Sequence, residues 1–163
     1  MDALLNLLEE NALATPETLA AQLNTTPDEV RARIKQRIKT LEHDRVILAY
    51  KAIVDDERAK RTSVRAVIEV RITPEREGGF DRLAHRIAQY SEVTSCFLMS
   101  GGYDLLIFVE GATLQEVAGF VSEKLSTLTG ILSTATHFNL KTYKIQGVLR
   151  EAVVHEERLA VSP

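Results

Sequence analysis

Apolar positions in the first forty residues recur at helical spacing, broken by short polar turns. Leu4, Leu5, Leu7 and Leu8 form one apolar stripe within 3–8, and Asn11 with the polar residues after it ends that helix. Thr15-Pro16 reads as an N-cap with proline at the first helical position, opening a second helix with Leu19, Ala20 and Leu23 inward. Asn24-Thr25 makes the turn. Thr26-Pro27-Asp28-Glu29 is a capping box, and the helix it starts repeats apolar residues at Val30, Ile34, Ile38 and Leu41 before ending near His43 or Asp44. Three short helices, the last two joined by a turn of a few residues, predict a helix-turn-helix.

The period then changes. Residues 46–54 are an apolar, β-rich run that reads as a wing or linking strand, and 55–61 are polar apart from Ala59, which places a domain boundary there. Within 64–72, Val64, Ala66, Ile68, Val70 and Ile72 fall on one face, and Arg65, Val67, Glu69 and Arg71 on the other. Thr73-Pro74 starts a turn, and Phe80, Leu83, Ala84, Ile87 and Ala88 line a helix ending about Tyr90. A strand over 93–100, a tight Gly101-Gly102 hairpin turn and a strand over 104–110 follow. Thr113 caps a helix with Leu114, Val117, Ala118, Val121 and Leu125 inward, and a last strand runs from Ile131 to about Tyr143. The order β-α-β-β-α-β predicts two helices on one face of a four-stranded antiparallel sheet, the ferredoxin-like arrangement. The expected organisation is therefore α+β: a winged helix-turn-helix domain over 1–50, a linking strand and hinge over 51–61, a ferredoxin-like domain over 62–150 and a tail over 151–163.

The sheet's second face needs a cover. Phe97 and Met99 alternate with Cys96 and Leu98, and 105–109 are apolar on both sides. The helices cover one side. Because a broad bare apolar face is rare in a monomer, a second subunit's sheet is expected on the other, making a dimer the minimum.

Composition narrows the class. The 163 residues are 45% hydrophobic and 26% charged with 8 Gly and 4 Pro, which excludes a disordered or collagen-like chain. No apolar run approaches the roughly 18 residues of a membrane span, and Met1-Asp2 opens without a basic leader region. The single Cys96 excludes an internal disulfide framework and any site built on several thiolates. These features point to the cytoplasm.

Net charge is only −3, so any basic surface must be local. Arg31, Arg33, Lys35, Arg37 and Lys39 follow one another with no acid between, against Asp2, Glu9, Glu10, Glu17, Asp28, Glu29, Glu42 and Asp44 around them. Laid out at 100° per residue, the side of the third helix away from its apolar stripe carries Ala32, Lys35, Gln36, Lys39 and His43 with Thr40 beside them. Arg31, Arg33 and Arg37 flank this polar side, and Thr26 stands at the helix start. A small Ala for close approach, Gln and Lys to reach base edges and Arg for phosphates suit the major groove. A solvated helix face would carry similar charge, but two supporting helices ahead of it favour the groove.

With these parts in order, the sequence resembles the leucine-responsive regulator/asparagine regulator (Lrp/AsnC) family of transcription factors. The residues that carry the likeness are Arg37-Ile38-Lys39-Thr40-Leu41-Glu42, Val46-Ile47-Leu48-Ala49-Tyr50, and Cys96-Phe97-Leu98-Met99-Ser100-Gly101-Gly102-Tyr103-Asp104. Leu128-Thr129-Gly130-Ile131, with Thr134 and Thr136, extends it. The resemblance spans residues 1 to about 150 and implies a sequence-specific DNA-binding regulator of double-stranded DNA. It implies a RAM-type ferredoxin-like domain that dimerises, often into tetramers or octamers, and binds an amino acid or similar effector at subunit interfaces. By that likeness the effector site uses Gly101, Gly102, Tyr103 and Asp104, with Thr134 and Thr136 on the facing last strand. Backbone N–H groups at the glycines could hold a carboxylate, Asp104 an α-ammonium, and Tyr103 could wall the side chain. The same residues equally fit a hairpin turn with Asp104 as its cap.

The sequence departs from the family at three points. About one extra helical turn lies between Thr26 and Leu41. Arg45 replaces a glycine before the wing, so the local backbone is expected to differ there. Asp28 and Glu29 suit the helix dipole but repel phosphates.

The four histidines, His43, His85, His137 and His155, are isolated, so no metal site is expected, and no cofactor motif is present. Cys96 reads as core, and no catalytic constellation exists. Two rivals remain: a small-molecule-binding or protein-interaction module without DNA binding, and a small enzyme, which rests on fold analogy alone.

Overall fold

The computed structural model describes residues 3–26, 28, 34–73 and 80–150 of the chain. Contacts divide it into two compact units, Met1–Ala52 and Ile53–Pro163.

The first unit contains α1 (Ala3–Glu10), α2 (Pro16–Gln22) and α3 (Lys35–His43). Each boundary has a local cause. Asn11 ends α1 by accepting the Leu13 N–H on its side chain at 3.0 Å. Thr15 caps α2, accepting the Thr18 N–H at 3.3 Å ahead of Pro16. Asn24 closes α2 in the left-handed region at φ 50°, and the Thr25 N–H reaches back to the Ala20 carbonyl at 3.1 Å. Leu4, Leu8, Leu19 and Ala20 form the small core, and Ile34, Ile38 and Ile47 pack against it. The Pro27 and Glu29 half of the capping box, Val30, and Arg31, Ala32 and Arg33 lie outside the described residues.

The end of α3 differs from expectation. Arg45 takes the left-handed conformation itself, at φ 58°. The Val46 N–H bonds the Leu41 carbonyl at 2.9 Å and the Arg45 N–H the Glu42 carbonyl at 3.2 Å, which is a Schellman closure. The backbone path is kept, with a side chain where glycine would be cheaper.

No strand forms over 46–54. The chain bends at 46 and 47, the run has no partner strand among the described residues, and Val46, Leu48, Tyr50, Ile53 and Val54 are exposed.

The second unit is a four-stranded antiparallel sheet in the order β2-β3-β1-β4, built from β1 (Val64–Ile72), β2 (Val93–Leu98), β3 (Leu105–Gly111) and β4 (Ile131–Phe138). Two helical segments cover one face: α4 (Asp81–Ala88), and α5 (Leu114–Gly119) continuing as a π-helical stretch, Phe120–Leu125. Alternation explains the core. Ala66, Ile68, Val70 and Ile72 of β1 and Leu105, Ile107 and Val109 of β3 are buried, together with Ile87, Val117, Phe120, Leu125 and Leu128. A fully buried Ile or Leu contributes about 1.5–3 kcal/mol, and Ile68, Ile87, Leu105, Ile107 and Leu125 all have zero exposure.

Four expectations change here. The connection between β2 and β3 is a six-residue loop over 99–104 rather than a two-residue turn, closed by the Met99 N–H on the Asp104 carbonyl at 2.8 Å. The π-stretch, marked by the Ser126 N–H on the Val121 carbonyl at 2.9 Å, shifts the helix phase by a residue. Phe120, three residues after the buried Val117, faces inward, while Leu114 and Ala118 are exposed. Ala88 of α4 also turns out to solvent. Finally, β4 ends at Phe138, and a separate hairpin follows, β5 (Lys144–Ile145) with β6 (Val148–Leu149), turning through Gln146 and Gly147 at φ 44° and 84°.

The polar segment read as a hinge is folded into the second unit. Asp55 accepts the Glu57 and Arg58 N–H groups on its side chain at 3.1 and 3.2 Å, and the Ala59 N–H bonds its carbonyl at 2.9 Å. The Arg61 N–H bonds the Asp56 carbonyl at 2.8 Å, and Lys60 is left-handed at φ 53°. Pro74 and the 151–163 tail lie outside the described residues.

Candidate functional site

The first candidate surface is the outer side of α3. Burying Leu41 and half-burying Ile34 and Ile38 turns Lys35, Gln36, Lys39 and His43 outward, and all four are exposed. Lys35, Lys39 and His43, four residues apart, form one ridge. Arg37 is exposed on the flank. Thr40 is half-buried, and its hydroxyl donates to the Gln36 carbonyl at 3.1 Å, so that proton is spent within the helix. Thr26 is exposed. At the far end the Tyr50 hydroxyl donates to Glu42 Oε1 at 3.1 Å, and burial together with that carboxylate pushes the Tyr50 phenol above its ordinary range.

The second candidate surface is the sheet face away from the helices. Its register places Val67 and Glu69 opposite Phe108 and Leu106 on one side, and Val67, Glu69 and Arg71 opposite His137, Ala135 and Ser133 on the other. The face has two halves. Phe97 and Phe108 meet edge to face at 6.0 Å, and Phe97, Met99 and Phe108 are exposed. The β1 and β4 half is polar: Glu69 Oε1 lies 3.4 Å from His137 Nε2.

On that polar half, a cavity of about 300 Å³ is lined by Glu69, Arg71, Gly102, Tyr103, Ser133, Thr134 and Ala135. A bulge between Arg71 and Ile72 marks its rim. Arg71 Nε donates to the Gly102 carbonyl at 2.7 Å, which pins the loop to β1. The six residues anticipated for an effector are only partly gathered here. Gly102, Tyr103 and Thr134 line the cavity. Gly101, exposed at φ 137°, does not. Thr136, paired with Ile68, does not line the cavity. Asp104 does structural work: its Oδ2 accepts the Ile72 N–H at 2.8 Å while its own N–H bonds the Val70 carbonyl at 2.9 Å, extending the ladder between β1 and β3.

Glu69 and Arg71 are the cavity charges that motif reading missed. Their signal was present in the alternation of β1, as acid and base two residues apart on the face away from the helices. Among the described residues no three His, Cys, Asp or Glu side chains gather to hold a metal, and no helix is long and apolar enough to cross a membrane. Cys96 is half-buried, and burial pushes its thiol up, away from nucleophile character.

A helical unit with an outward cationic ridge, followed by a ferredoxin-like unit, is the architecture of a two-domain helix-turn-helix regulator. Comparisons with known proteins agree. The family model of the Lrp/AsnC ligand binding domain matches residues 65–149. Over 161 residues, 98% of this chain and 95% of the relative, the sequence is 42% identical to YugG, an uncharacterized HTH-type transcriptional regulator of Bacillus subtilis. The crystal structure of the L-Met complex of a transcriptional regulator from Neisseria meningitidis superposes with a TM-score of 0.65 at 25% identity, covering 87% of this chain and 88% of that one. AsnC of E. coli shares the fold, with a TM-score of 0.65 at 19% identity over 91% and 93% of the two chains. The chain belongs to the Lrp/AsnC family. It is a DNA-binding transcriptional regulator rather than an enzyme.

Proposed function

We propose that the chain acts on double-stranded DNA in the cytoplasm as a homodimer or larger oligomer, through the outer side of α3, and that an α-amino acid modulates it. The observation that carries the DNA interface is the ridge of Lys35, Lys39 and His43 with Gln36 and Arg37, mounted on a helix whose other side is committed to the core. Lys35, Lys39 and Arg37 would contact phosphates and Gln36 a base edge, and the sequence pattern alone adds Arg31, Ala32 and Arg33 to this proposal. Thr40, its hydroxyl proton already donated, can only accept. Two such helices in a dimer would enter successive major grooves, giving a pseudo-palindromic site with half-sites about 34 Å apart.

The test is a salt titration of binding to duplexes selected by the protein from a random pool. Affinity should fall steeply with salt, and Lys35→Ala and Lys39→Ala should each flatten the logarithmic slope by about one unit. A flat slope for the unaltered chain removes the DNA reading.

The partner surface is the exposed apolar half of the sheet, Phe97, Met99 and Phe108. A second copy is its natural cover, since a twofold axis can pair one such patch with itself. Light scattering should report a mass of at least two chains, and Phe108→Asp should reduce it. The effector reading rests on the cavity beside Gly102 and Tyr103. Its size lies at the low end of the ~300–1,000 Å³ typical of small-ligand sites. Arg71 suits a carboxylate and Glu69 an ammonium, the two ends of a zwitterion. A thermal-shift screen of the twenty amino acids should find a stabilising ligand, with the effect lost in Arg71→Ala.

A further inference from the structure

The connection between the two units is short because both of its ends are tied. Within the first unit, Ile47 packs on the helical core and Tyr50 is held on Glu42. Within the second, the connection is anchored from Asp55 onward by a residue nearly one hundred positions away. Arg150 places its guanidinium fork on Asp55, Nη2 to Oδ1 at 2.6 Å and Nε to Oδ2 at 3.2 Å, and Nη2 reaches Glu57 Oε2 at 3.0 Å. The same side chain donates from Nη1 to the Thr142 carbonyl at 3.4 Å, and its backbone N–H bonds the Tyr143 carbonyl at 2.9 Å, so the clamp is fixed to the β5 and β6 hairpin. Ile53 and Val54 line a cavity of about 230 Å³ with Ile145, Val148 and Leu149 directly beside it. Asp56 pairs with Arg65 of β1. Arg150 and Asp55 are each about three-quarters buried, so this is no loose surface pair.

We infer that Arg150 is a positioning residue that sets the length of the tether between the DNA-binding unit and the oligomerising unit. With both ends tied, only residues 51–54 are left to span, a reach of at most about 14 Å. With the second tie released, the span grows to 51–63, or about 45 Å. A half-site shift of five base pairs is about 17 Å along the duplex plus half a turn around it. Divided between two subunits, the shift asks about 8 Å and a quarter turn of each connection. That is more than half of the whole tied reach but a small fraction of the released one, so the tied protein resists it and the released one does not. The clamp thus determines how strictly the protein discriminates half-site spacing. Affinity for a single half-site is untouched by it.

The experiment has two arms. Hydrogen exchange of the full chain without DNA, comparing the unaltered protein with Arg150→Ala and Arg150→Ala/Asp56→Ala, reads the tie directly. Amides of 53–61 should exchange at least about tenfold faster in the variants, while β1 and β3 stay protected and so report an intact fold. Binding to selected duplexes re-spaced in one-base-pair steps reads the consequence. The unaltered protein should lose about tenfold or more at a five-base-pair shift, and the double variant less than about threefold. Unchanged exchange in both variants overturns the clamp. Faster exchange with an unchanged spacing profile overturns the tether. This second arm rests on the DNA reading above: if the unaltered chain bound no duplex, that reading would fall, and the exchange data alone would judge the clamp.

Discussion

Replacing Arg45 with glycine should make the helical unit more stable. Arg45 is one of four non-glycine residues at positive φ among the described residues, and it closes α3 in a position where a side chain has no conformational advantage. A left-handed residue carrying a Cβ costs about 1–2 kcal/mol. Glycine removes that strain but returns about 0.5–1 kcal/mol through its freer unfolded chain. The net gain is about 0.5–1 kcal/mol. The side chain is exposed, so little packing is lost. In a small domain about 1 kcal/mol moves the midpoint by roughly 4–8 °C, so the melting of the helical unit should rise by about 3–6 °C. Circular dichroism at 222 nm follows it. Asn24→Gly is the internal control. Asn24 is also left-handed, at φ 50°, but asparagine tolerates that region, so the gain there should be only a few tenths of a kcal/mol. A neutral or lowered midpoint for Arg45→Gly, or a larger gain at Asn24, refutes the strain argument.

Gly111→Ala should destabilise the second unit by about 1–3 kcal/mol, since a Cβ there would sit 3.1 Å from Val117 Cγ2 and 3.3 Å from Glu116 Cβ, which are fixed by the helix start. Chemical denaturation of the variant checks it, and an unchanged midpoint would mean that α5 yields. Stability should also depend on pH at both extremes. The Arg150 fork holds Asp55, and Lys124 holds Glu92, below the usual carboxylate range, so their contribution is full above the unfolded value near pH 4 and is lost as pH falls through the folded one. Lys124 and Arg150 are raised by the same partners, so their share is full at neutral pH and lost only as pH rises past their ordinary values. Urea midpoints against pH should therefore fall below about pH 4, and less so in Arg150→Ala; an acid limb identical in the two proteins would mean Asp55 gains nothing from its partner.

What the sequence made legible was whatever periodicity and local stops encode. The stripe of Leu4, Leu8, Leu19, Ile34 and Ile38, the alternation in β1 and the Thr15 and Thr113 caps appear as read. What it hid were features decided by distant partners. The core side of α5 runs through Val117 and Phe120, which leaves Ala118 in solvent, and only the position of the sheet decides between these neighbouring apolar faces. Gly101-Gly102 suggested a two-residue turn because its neighbours are strand-like, yet Asp104 is drawn into the ladder by Ile72 and Val70, lengthening the loop. The polarity of 55–61 suggested a hinge, while the Asp55 turn and Arg150 make it part of the second unit. The α3 ridge could be read from one helix alone, whereas the charges of the cavity required β1, β4 and the 99–104 loop to be brought together.

The divided sheet face carries a further implication for how such a protein can respond to a small molecule. Aromatic rings occupy one side of that face, and Glu69, Arg71 and His137 the other. A twin that docks ring against ring leaves the ionic side at the seam's margin, within reach of water. Solute entry and self-association then share a boundary without competing for the same atoms, so occupancy at the margin can tighten or loosen the pairing instead of being shut out by it.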